Sequence, residues 1–236
     1  MVAGNSIPTN GAFSIAEDQT TRKCTINCFF AESPDMGNPP SPIIIITAPS
    51  GAGKTSITRY LLQKYPYLAF SVSAATRQPR GTEKDGVDYY FITEEDFQKK
   101  IAANEFVEWE MVYQGKYYGT LHSELNRIWQ QQQVPMLDID VKGAIHVQQQ
   151  YPEQCFSLFI EPPSLDELKN RLLARGTETE ESLQARLGKA AFEISFKNYF
   201  DQVIVNDRLE DACAAAEKAI GEFLQSKQFR QQIIHS

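Results

Sequence analysis

The sequence predicts a three-layer α/β fold, in which a mostly parallel sheet is covered by helices on both faces. From Pro42 onward, short apolar segments of strand-like composition alternate with longer helical segments. This alternation is typical of βαβ units, whose strands lie parallel. Residues 43–47 form a continuous β-branched run, the pattern of a strand buried on both faces.

The other elements are predicted in order along the chain. Residues 55–64 have a helical pattern, and capping boxes at Thr93 and Ser164 predict the starts of two more helices. Residues 106–118 alternate aromatic and polar side chains around Gln114 and Gly115, which predicts a β-hairpin. Further short strands are predicted at 69–73, 134–139, 155–160 and 202–205.

Residues 1–41 differ in composition from the rest of the chain. They are rich in Gly, Pro, Ser, Asn and Thr and lack periodicity. Such a segment buries too little apolar surface to offset its chain entropy, so we predict a disordered extension. One domain is predicted to follow at 42–236, and Met36 is an alternative start of the chain.

Composition argues against several classes of function. The chain has 236 residues, 42% of them hydrophobic, and a net charge of -7. These values are typical of a soluble globular protein and argue against broad binding of nucleic acid or anionic membranes. Four scattered cysteines predict reduced thiols in a cytoplasmic protein, with half a metal site at Cys24 and Cys28 as the weaker alternative. No segment has the pattern of a membrane span or a signal peptide.

The segment after the first strand has the spacing of a phosphate-binding loop (P-loop). It is Ala48-Pro49-Ser50-Gly51-Ala52-Gly53-Lys54-Thr55, and it opens a helix. Its glycines let successive N–H groups point at phosphates, and the helix amino terminus adds partial positive charge. Lys54 is then expected at the β- and γ-phosphates and the Thr55 hydroxyl on Mg²⁺. Ala48 replaces the usual glycine, but the position between a buried strand and a helix favours nucleotide binding over a plain glycine-rich turn.

A second group of anion-binding side chains follows the next strand. Arg77 and Arg80, together with Ser73 and Tyr89, could hold a phosphate through charge-assisted hydrogen bonds. From these residues alone, a solvated loop with two arginines explains the pattern equally well.

Glu108 and Thr120 lie on the two halves of the predicted hairpin. Guanine presents two adjacent donors, N1–H and the 2-amino group, beside the O6 acceptor. A buried carboxylate at Glu108 accepts from both donors, and the Thr120 hydroxyl can donate to O6. Adenine has an unprotonated N1 at that place, which would face the carboxylate without a proton. The chemistry of this pair fits a guanine site, and an exposed strand carboxylate is the alternative.

From about Ile43 to Leu224 the chain resembles guanylate kinases, with little need for gaps. Besides the P-loop, the likeness is carried by Phe106-Val107-Glu108-Trp109, Gly115-Lys116-Tyr117-Tyr118-Gly119-Thr120, Leu137-Asp138-Ile139-Asp140 followed by Gly143, and Val203-Ile204-Val205-Asn206-Asp207. It implies a P-loop kinase core with a GMP-binding region inserted at about 74–122 and a helical lid at about 171–190. The implied reaction is Mg²⁺-dependent transfer of a phosphoryl group from ATP to GMP, with dGMP as a second expected substrate.

The resemblance also implies a role for each matched residue. The expected ATP-binding residues are Ala48, Pro49, Ser50, Gly51, Ala52, Gly53, Lys54, Thr55, Ser56, Asn206 and Asp207. The expected GMP-binding residues are Ser73, Arg77, Arg80, Glu83, Tyr89, Glu108, Tyr118, Thr120, Asp138 and Asp140. The expected catalytic residues are Lys54, Arg80, Arg171, Arg175 and Arg186, and Thr55 is the expected metal ligand.

The lid arginines and two aspartates leave alternatives open. Arg171 and Arg175 lie at i, i+4, and a polar stretch separates them from Arg186. A lid would bring guanidinium groups onto the phosphoryl group and exclude water, whereas an amphipathic helix with a solvated basic face is the bland alternative. Asp138 and Asp140 could hold Mg²⁺-bound water, position the arginines or serve the fold alone.

Two other functions account for parts of the sequence. A partner-binding module that has lost catalysis conflicts with the intact Lys54 and the lid arginines. A P-loop kinase of another small substrate conflicts with Glu108 and Thr120. The chain departs from the family pattern at Ala48, Ala74-Ala75, Gly81-Thr82 and Lys142, and none of these changes removes a residue with an expected chemical role.

Overall fold

The computed structural model describes residues 41–113, 115–174 and 179–226. Its strands are β1 (Ile43–Thr47), β2 (Leu68–Phe70), β3 (Ala74–Ala75), β4 (Tyr90–Phe91), β5 (Phe106–Tyr113), β6 (Lys116–Leu121), β7 (Val134–Asp138), β8 (Cys155–Glu161) and β9 (Gln202–Val205). Its helices are α1 (Lys54–Lys64), α2 (Glu94–Ala102), α3 (His122–Gln130), α4 (Val141–Gln150), α5 (Leu165–Ala174), α6 (Glu180–Ile194) and α7 (Leu209–Gln225).

A parallel sheet with the order β2-β7-β1-β8-β9 forms the centre of the domain. Its middle strand, β1, is fully buried on both faces. Ile44 and Ile46 pack into an apolar cluster with α1 and α7, while Ile43 and Ile45 pack with α3 and α4. The predicted three-layer α/β fold is confirmed.

A second, mixed sheet has the order β4-β3-β6-β5. Strands β5 and β6 form the predicted hairpin and place Glu108 opposite Thr120. Beneath the sheet lies a small aromatic cluster, in which the rings of Phe97 and Phe106 stack at 4.3 Å. The hairpin therefore brings the two residues predicted to read the base onto neighbouring strands.

Strand β2 is shorter than the sequence predicted, ending at Phe70 instead of residue 73. Beyond Phe70, the Ser71 N–H still donates to the Met136 carbonyl of β7 at 3.0 Å. The next N–H, that of Val72, does not point at β7 and donates at 2.9 Å to the carboxylate of Glu124, a buried residue of α3, which also accepts from the Tyr90 hydroxyl at 2.9 Å. Glu124 therefore ties the segment after β2 to α3 and to the second sheet. Burial opposes ionisation of Glu124, but the hydrogen bonds from Arg127, Val72 and Tyr90 outweigh it and lower its pKa.

Side-chain caps define several helix starts. Thr93 accepts from the N–H of Asp96 at 3.0 Å, and Ser164 accepts from that of Glu167 at 3.0 Å, as predicted. Helix α6 begins with a capping box between Thr179 and Ser182 that the sequence reading did not identify.

Several sequence predictions fall on segments outside the described residues. These are the disordered extension up to residue 40, Cys24 and Cys28, and Arg175. Within the described ranges, no helix is both long and apolar enough to cross a bilayer.

We predict that a chain shortened to begin at Met36 melts at the same temperature as the full chain. Described residues between 43 and 224 already form two large apolar clusters, which cover both faces of the central sheet. Thermal unfolding followed by circular dichroism tests this, with Phe159→Ala as a control that removes a fully buried ring and should cost about 3–5 kcal/mol. A large drop on shortening would show that the amino-terminal segment packs on the domain.

Candidate active site

A cleft of about 460 Å³ lies at the carboxyl end of the parallel sheet. It is lined by the loops that follow β1 and β7, by the second sheet and by α6. In open α/β sheets, ligands bind at this edge because the loops after successive strands converge there.

The P-loop takes its shape from two glycines and one asparagine. Gly51 and Gly53 have φ values of 99° and 96°, a conformation that side chains rarely adopt. A Cβ at Gly53 would lie 2.1 Å from the Asn206 amide nitrogen. That nitrogen donates to the Ala52 carbonyl at 2.7 Å, so Asn206 supports the loop from the side away from the cleft.

Ala48 is accommodated without strain. Its methyl group belongs to the apolar cluster formed with α1 and α7. Among the described residues, the non-glycine positions with positive φ are Asn104 and Gln132, so Ala48 has an ordinary backbone conformation. The absent glycine therefore leaves the loop intact.

Lys54 extends from the first turn of α1 into the cleft. Its ammonium group forms an ion pair with Asp138, at the end of β7, and donates to the Ile139 carbonyl at 3.5 Å. Both charged side chains are about 20% exposed. The strand order, which sets β7 beside β1, is what places this carboxylate within reach of the P-loop lysine.

The predicted lid contacts the P-loop through α6. Arg186 donates to the Ser50 hydroxyl at 2.8 Å. Arg171, on α5, donates to the backbone carbonyls of Asn206 at 2.9 Å and Asp207 at 3.4 Å. Two of the three predicted lid arginines are therefore bound to the P-loop or to the segment that supports it.

Helix α6 also brings Lys189 and Glu193 to the cleft, two residues that the sequence reading missed. Their side chains form an ion pair at 3.7 Å, and burial raises the pKa of Glu193. Their spacing from Arg186, i+3 and i+7, puts all three on one face of the helix. That spacing was the signal available in the sequence.

Arg77 is held rigidly at the wall formed by the second sheet. Both terminal nitrogens donate to Glu83, at 2.5 and 2.8 Å, and Nε donates to the Tyr118 hydroxyl at 3.1 Å. The guanidinium carbon lies 4.8 Å from the centre of the Tyr89 ring, a cation–π contact. Because its side chain is only 7% exposed, Arg77 is not part of a solvated loop. Hydrogen bonds from Arg77 and from the Arg80 backbone lower the pKa of Glu83 to about 2.

Glu108 is a buried carboxylate that borders the cleft, and only 5% of the residue is exposed. The Thr120 hydroxyl donates to its Oε1 at 2.7 Å. Burial, with a smaller contribution from the Asp140 charge, raises the pKa of Glu108 to about 7, although the bond from Thr120 acts in the opposite direction. The alternative of an exposed strand carboxylate is excluded. Thr120 was expected to donate to a base, but in this structure its proton is directed at Glu108.

Asp140 caps α4, since its Oδ1 accepts from the N–H of Gly143 at 2.9 Å. Asp138 and Asp140 both border the cleft, but in this structure Asp138 pairs with Lys54 and Asp140 with the helix. The fold therefore gives each aspartate a structural contact as well as access to the cleft.

The predicted site residues separate into two groups. Those that line the cleft are Ala48, Pro49, Ser50, Gly51, Gly53, Lys54, Thr55, Ser56, Ser73, Arg77, Arg80, Tyr89, Glu108, Tyr118, Asp138, Asp140 and Arg186. Arg175 lies outside the described residues. The others contact members or supports of the first group: Glu83 holds Arg77, Thr120 holds Glu108, Asn206 holds the P-loop at the Ala52 carbonyl, and Arg171 holds the backbone of Asn206 and Asp207.

Comparison with known proteins identifies relatives of this chain. The guanylate kinase family model matches residues 40–223. The guanylate kinase of Bacteroides fragilis is 48% identical over 182 residues, which is 77% of this chain and 89% of that protein. That of Porphyromonas gingivalis is 45% identical over 183 residues, 77% of this chain and 97% of the relative. The crystal structure of guanylate kinase from Anaplasma phagocytophilum matches with a TM-score of 0.65 and 29% identity, covering 83% of this chain and 95% of that one.

We predict that ionisation of the buried Glu108 makes the free energy of unfolding depend on pH. Glu108→Gln, which cannot ionise, should lack this contribution. Because the folded pKa is raised above the unfolded value, the folded state holds the proton more tightly. Stability should therefore fall as pH rises from about 4.5 to 7, by about 3 kcal/mol. Urea unfolding of wild type and Glu108→Gln at pH 5 and pH 8 measures this. Subtracting the variant's free energy of unfolding from that of wild type at each pH removes the contribution of the other titrating groups. If wild type and Glu108→Gln differ in free energy of unfolding by the same amount at both pH values, the pKa of Glu108 is not raised.

Proposed function

The chain belongs to the guanylate kinase family and catalyses the ATP-dependent phosphorylation of GMP to GDP, and we propose that the residues of the cleft described above carry out this reaction. The observation that supports this best is a buried carboxylate, Glu108, bordering the same cleft as a complete P-loop. The side chains identified here address base and phosphate, which GMP and dGMP share, so we include dGMP among the substrates.

Glu108 reads the guanine base in this proposal. An ionised carboxylate offers acceptors to N1–H and the 2-amino group, and these two bonds replace the hydration that burial removed. They also favour the charged form, so GMP binding should draw the Glu108 pKa downward from its value of about 7. Thr120 holds Oε1 and so limits the rotation of the carboxylate.

The GMP phosphate is bound by the cationic wall around Arg77. Its described contacts, including one from Nη1 to the Gln78 carbonyl at 3.0 Å, engage Nε and both terminal nitrogens. Arg77 therefore supplies a fixed charge. Arg80 is exposed and borders the cleft, so it supplies a guanidinium group that can follow the substrate, together with Ser73 and Tyr89.

Lys54 and Arg186 act on the transferring phosphoryl group. ATP phosphates in the P-loop compete with Asp138 for the Lys54 ammonium group, which moves from one anion to another without ever being unpaired. Arg186 already reaches Ser50 in the P-loop, so a small movement of α6 brings its charge onto the γ-phosphate.

The residues present fit a magnesium ion that arrives with ATP. Mg²⁺ binds through few protein oxygens, with phosphates and water completing its shell. The described residues contain no group of three or more metal-ligating side chains, and the cleft offers the Thr55 hydroxyl with the Asp138 and Asp140 carboxylates nearby. When bound, the ion would neutralise charge on the β- and γ-phosphate oxygens.

The cysteines support a cytoplasmic location. Cys155 and Cys213 are free thiols, and burial raises the pKa of both, to about 12 for Cys155. Unreactive thiols of this kind are typical of proteins in reducing compartments.

Glu108→Gln tests the proposed base contact. The amide puts a donor where guanine presents another donor, and each unpaired buried group costs roughly 1–3 kcal/mol. We expect kcat/KM for GMP to fall at least about a hundredfold, the preference for GMP over AMP to shrink, and KM for ATP to stay unchanged. A coupled assay of ADP formation measures all three.

A matched control is Glu105→Gln, an exposed glutamate just before β5, which should leave the kinetics unchanged. If Glu108→Gln keeps both its efficiency with GMP and its preference over AMP, Glu108 does not read the base.

Arg186→Ala should lower kcat by about a hundredfold or more, with a smaller change in KM for GMP, because the guanidinium group acts on charge that develops during transfer. Steady-state kinetics with both substrates varied separates the two parameters. Arg208→Ala, at an exposed residue paired with Asp211, controls for loss of surface charge. A loss confined to KM would instead mean that Arg186 binds ground-state phosphate.

A further inference from the structure

Gly143 occupies the third position of α4, where glycine is unfavourable. Within a helix, glycine is less stable than alanine by about 1 kcal/mol. Its φ is one that any residue can adopt, so the backbone conformation does not require glycine. The residue is explained by space: a Cβ here would lie 2.6 Å from Oε2 and 3.2 Å from Cδ of Glu108.

The Glu108 carboxylate has little freedom to move away from such a Cβ. Its other oxygen, Oε1, is held by Thr120 at 2.7 Å. Its backbone lies close to that of β6, since a Cβ at Gly119 would come within 2.7 Å of the Glu108 carbonyl oxygen. Moving Oε2 therefore means turning the carboxylate and weakening the Thr120 bond.

We propose that Gly143 is a positioning residue for guanine recognition. Its missing side chain lets the first turn of α4 approach β5 so closely that the Glu108 carboxylate keeps one orientation, with Oε1 on Thr120 and Oε2 against the Gly143 backbone. This rests on the proposed role of Glu108 in reading the base. A methyl group at position 143 would turn the carboxylate and misalign it with N1–H and the 2-amino group.

Gly143→Ala should leave the stability of the fold intact while it lowers activity with GMP. Alanine is the better helix former, so Gly143→Ala should melt at or above the wild-type temperature. Yet a displacement of about 1 Å in a site of this kind can cost about a hundredfold. We therefore expect kcat/KM for GMP to fall about a hundredfold, mainly through KM for GMP, while KM for ATP is unchanged. The preference for GMP over IMP, which lacks the 2-amino group, should shrink as well.

A double-mutant cycle tests the mechanism. Four proteins are compared: wild type, Gly143→Ala, Glu108→Ala and the double variant. Without the carboxylate there is nothing for the new methyl group to displace, so adding Gly143→Ala to Glu108→Ala should change kcat/KM for GMP by less than about threefold. If turnover is too slow to measure, calorimetric titration of the four proteins with GMP gives dissociation constants, from which the same cycle can be built.

The matched control is Gly221→Ala in α7, where a Cβ would meet nothing within 4 Å. It should gain helix stability and keep wild-type kinetics. A Gly143→Ala protein that does not fold, or that loses GMP efficiency equally with and without Glu108, overturns the positioning role. So does a Gly143→Ala protein with wild-type efficiency and selectivity, provided that Glu108→Ala alone is impaired. If Glu108→Ala itself keeps GMP efficiency and selectivity, the base contact fails and the role of Gly143 fails with it.

Discussion

The burial of β1 on both faces is the constraint on which the rest of the site depends. Ile43 and Ile45 contact one apolar cluster and Ile44 and Ile46 the other, so the strand can neither shift nor rotate without exposing one set. The P-loop begins where this strand ends. Its neighbour β7 delivers Asp138 to the same edge, and Asn206, directly after β9, supports the loop from the other direction. The phosphate loop is thus attached to a strand that is buried along its whole length.

The buried and half-buried charges of the cleft have polar partners within the protein. Lys54 is paired with Asp138 and Arg77 with Glu83, and the Glu108 carboxylate accepts from Thr120. Unpaired charges in a cleft of this depth would destabilise the fold. Substrate binding can then exchange one partner for another, which costs less than removing a fully solvated ion from water. Arg77 differs from the other cations because both terminal nitrogens of its guanidinium group donate to Glu83. Its contribution is therefore mainly a fixed positive charge.

Two glycines position polar groups of the site by leaving space for them. Gly53 leaves room for the Asn206 amide that supports the P-loop, and Gly143 leaves room for the Glu108 carboxylate. In both cases a polar group is fixed because a neighbouring side chain is missing. Such positions carry no chemical signal of their own, and their importance lies in the distance between two segments far apart in the chain.

The sequence by itself determined the fold class, the hairpin, most strand positions and the P-loop, because each depends on periodicity or on residues within a few positions of one another. It also supplied the types of residue that we propose bind the base and the phosphate. The tertiary structure alone decided which groups face the cleft and which hold their neighbours. Glu124 of α3 binds the Val72 N–H just after β2, and Thr120 directs its proton at Glu108. Lys189 and Glu193 reach the cleft because α6 packs across it. Such pairings depend on ångström-scale distances between segments far apart in sequence, and those distances exist only once the two sheets and the helices have packed.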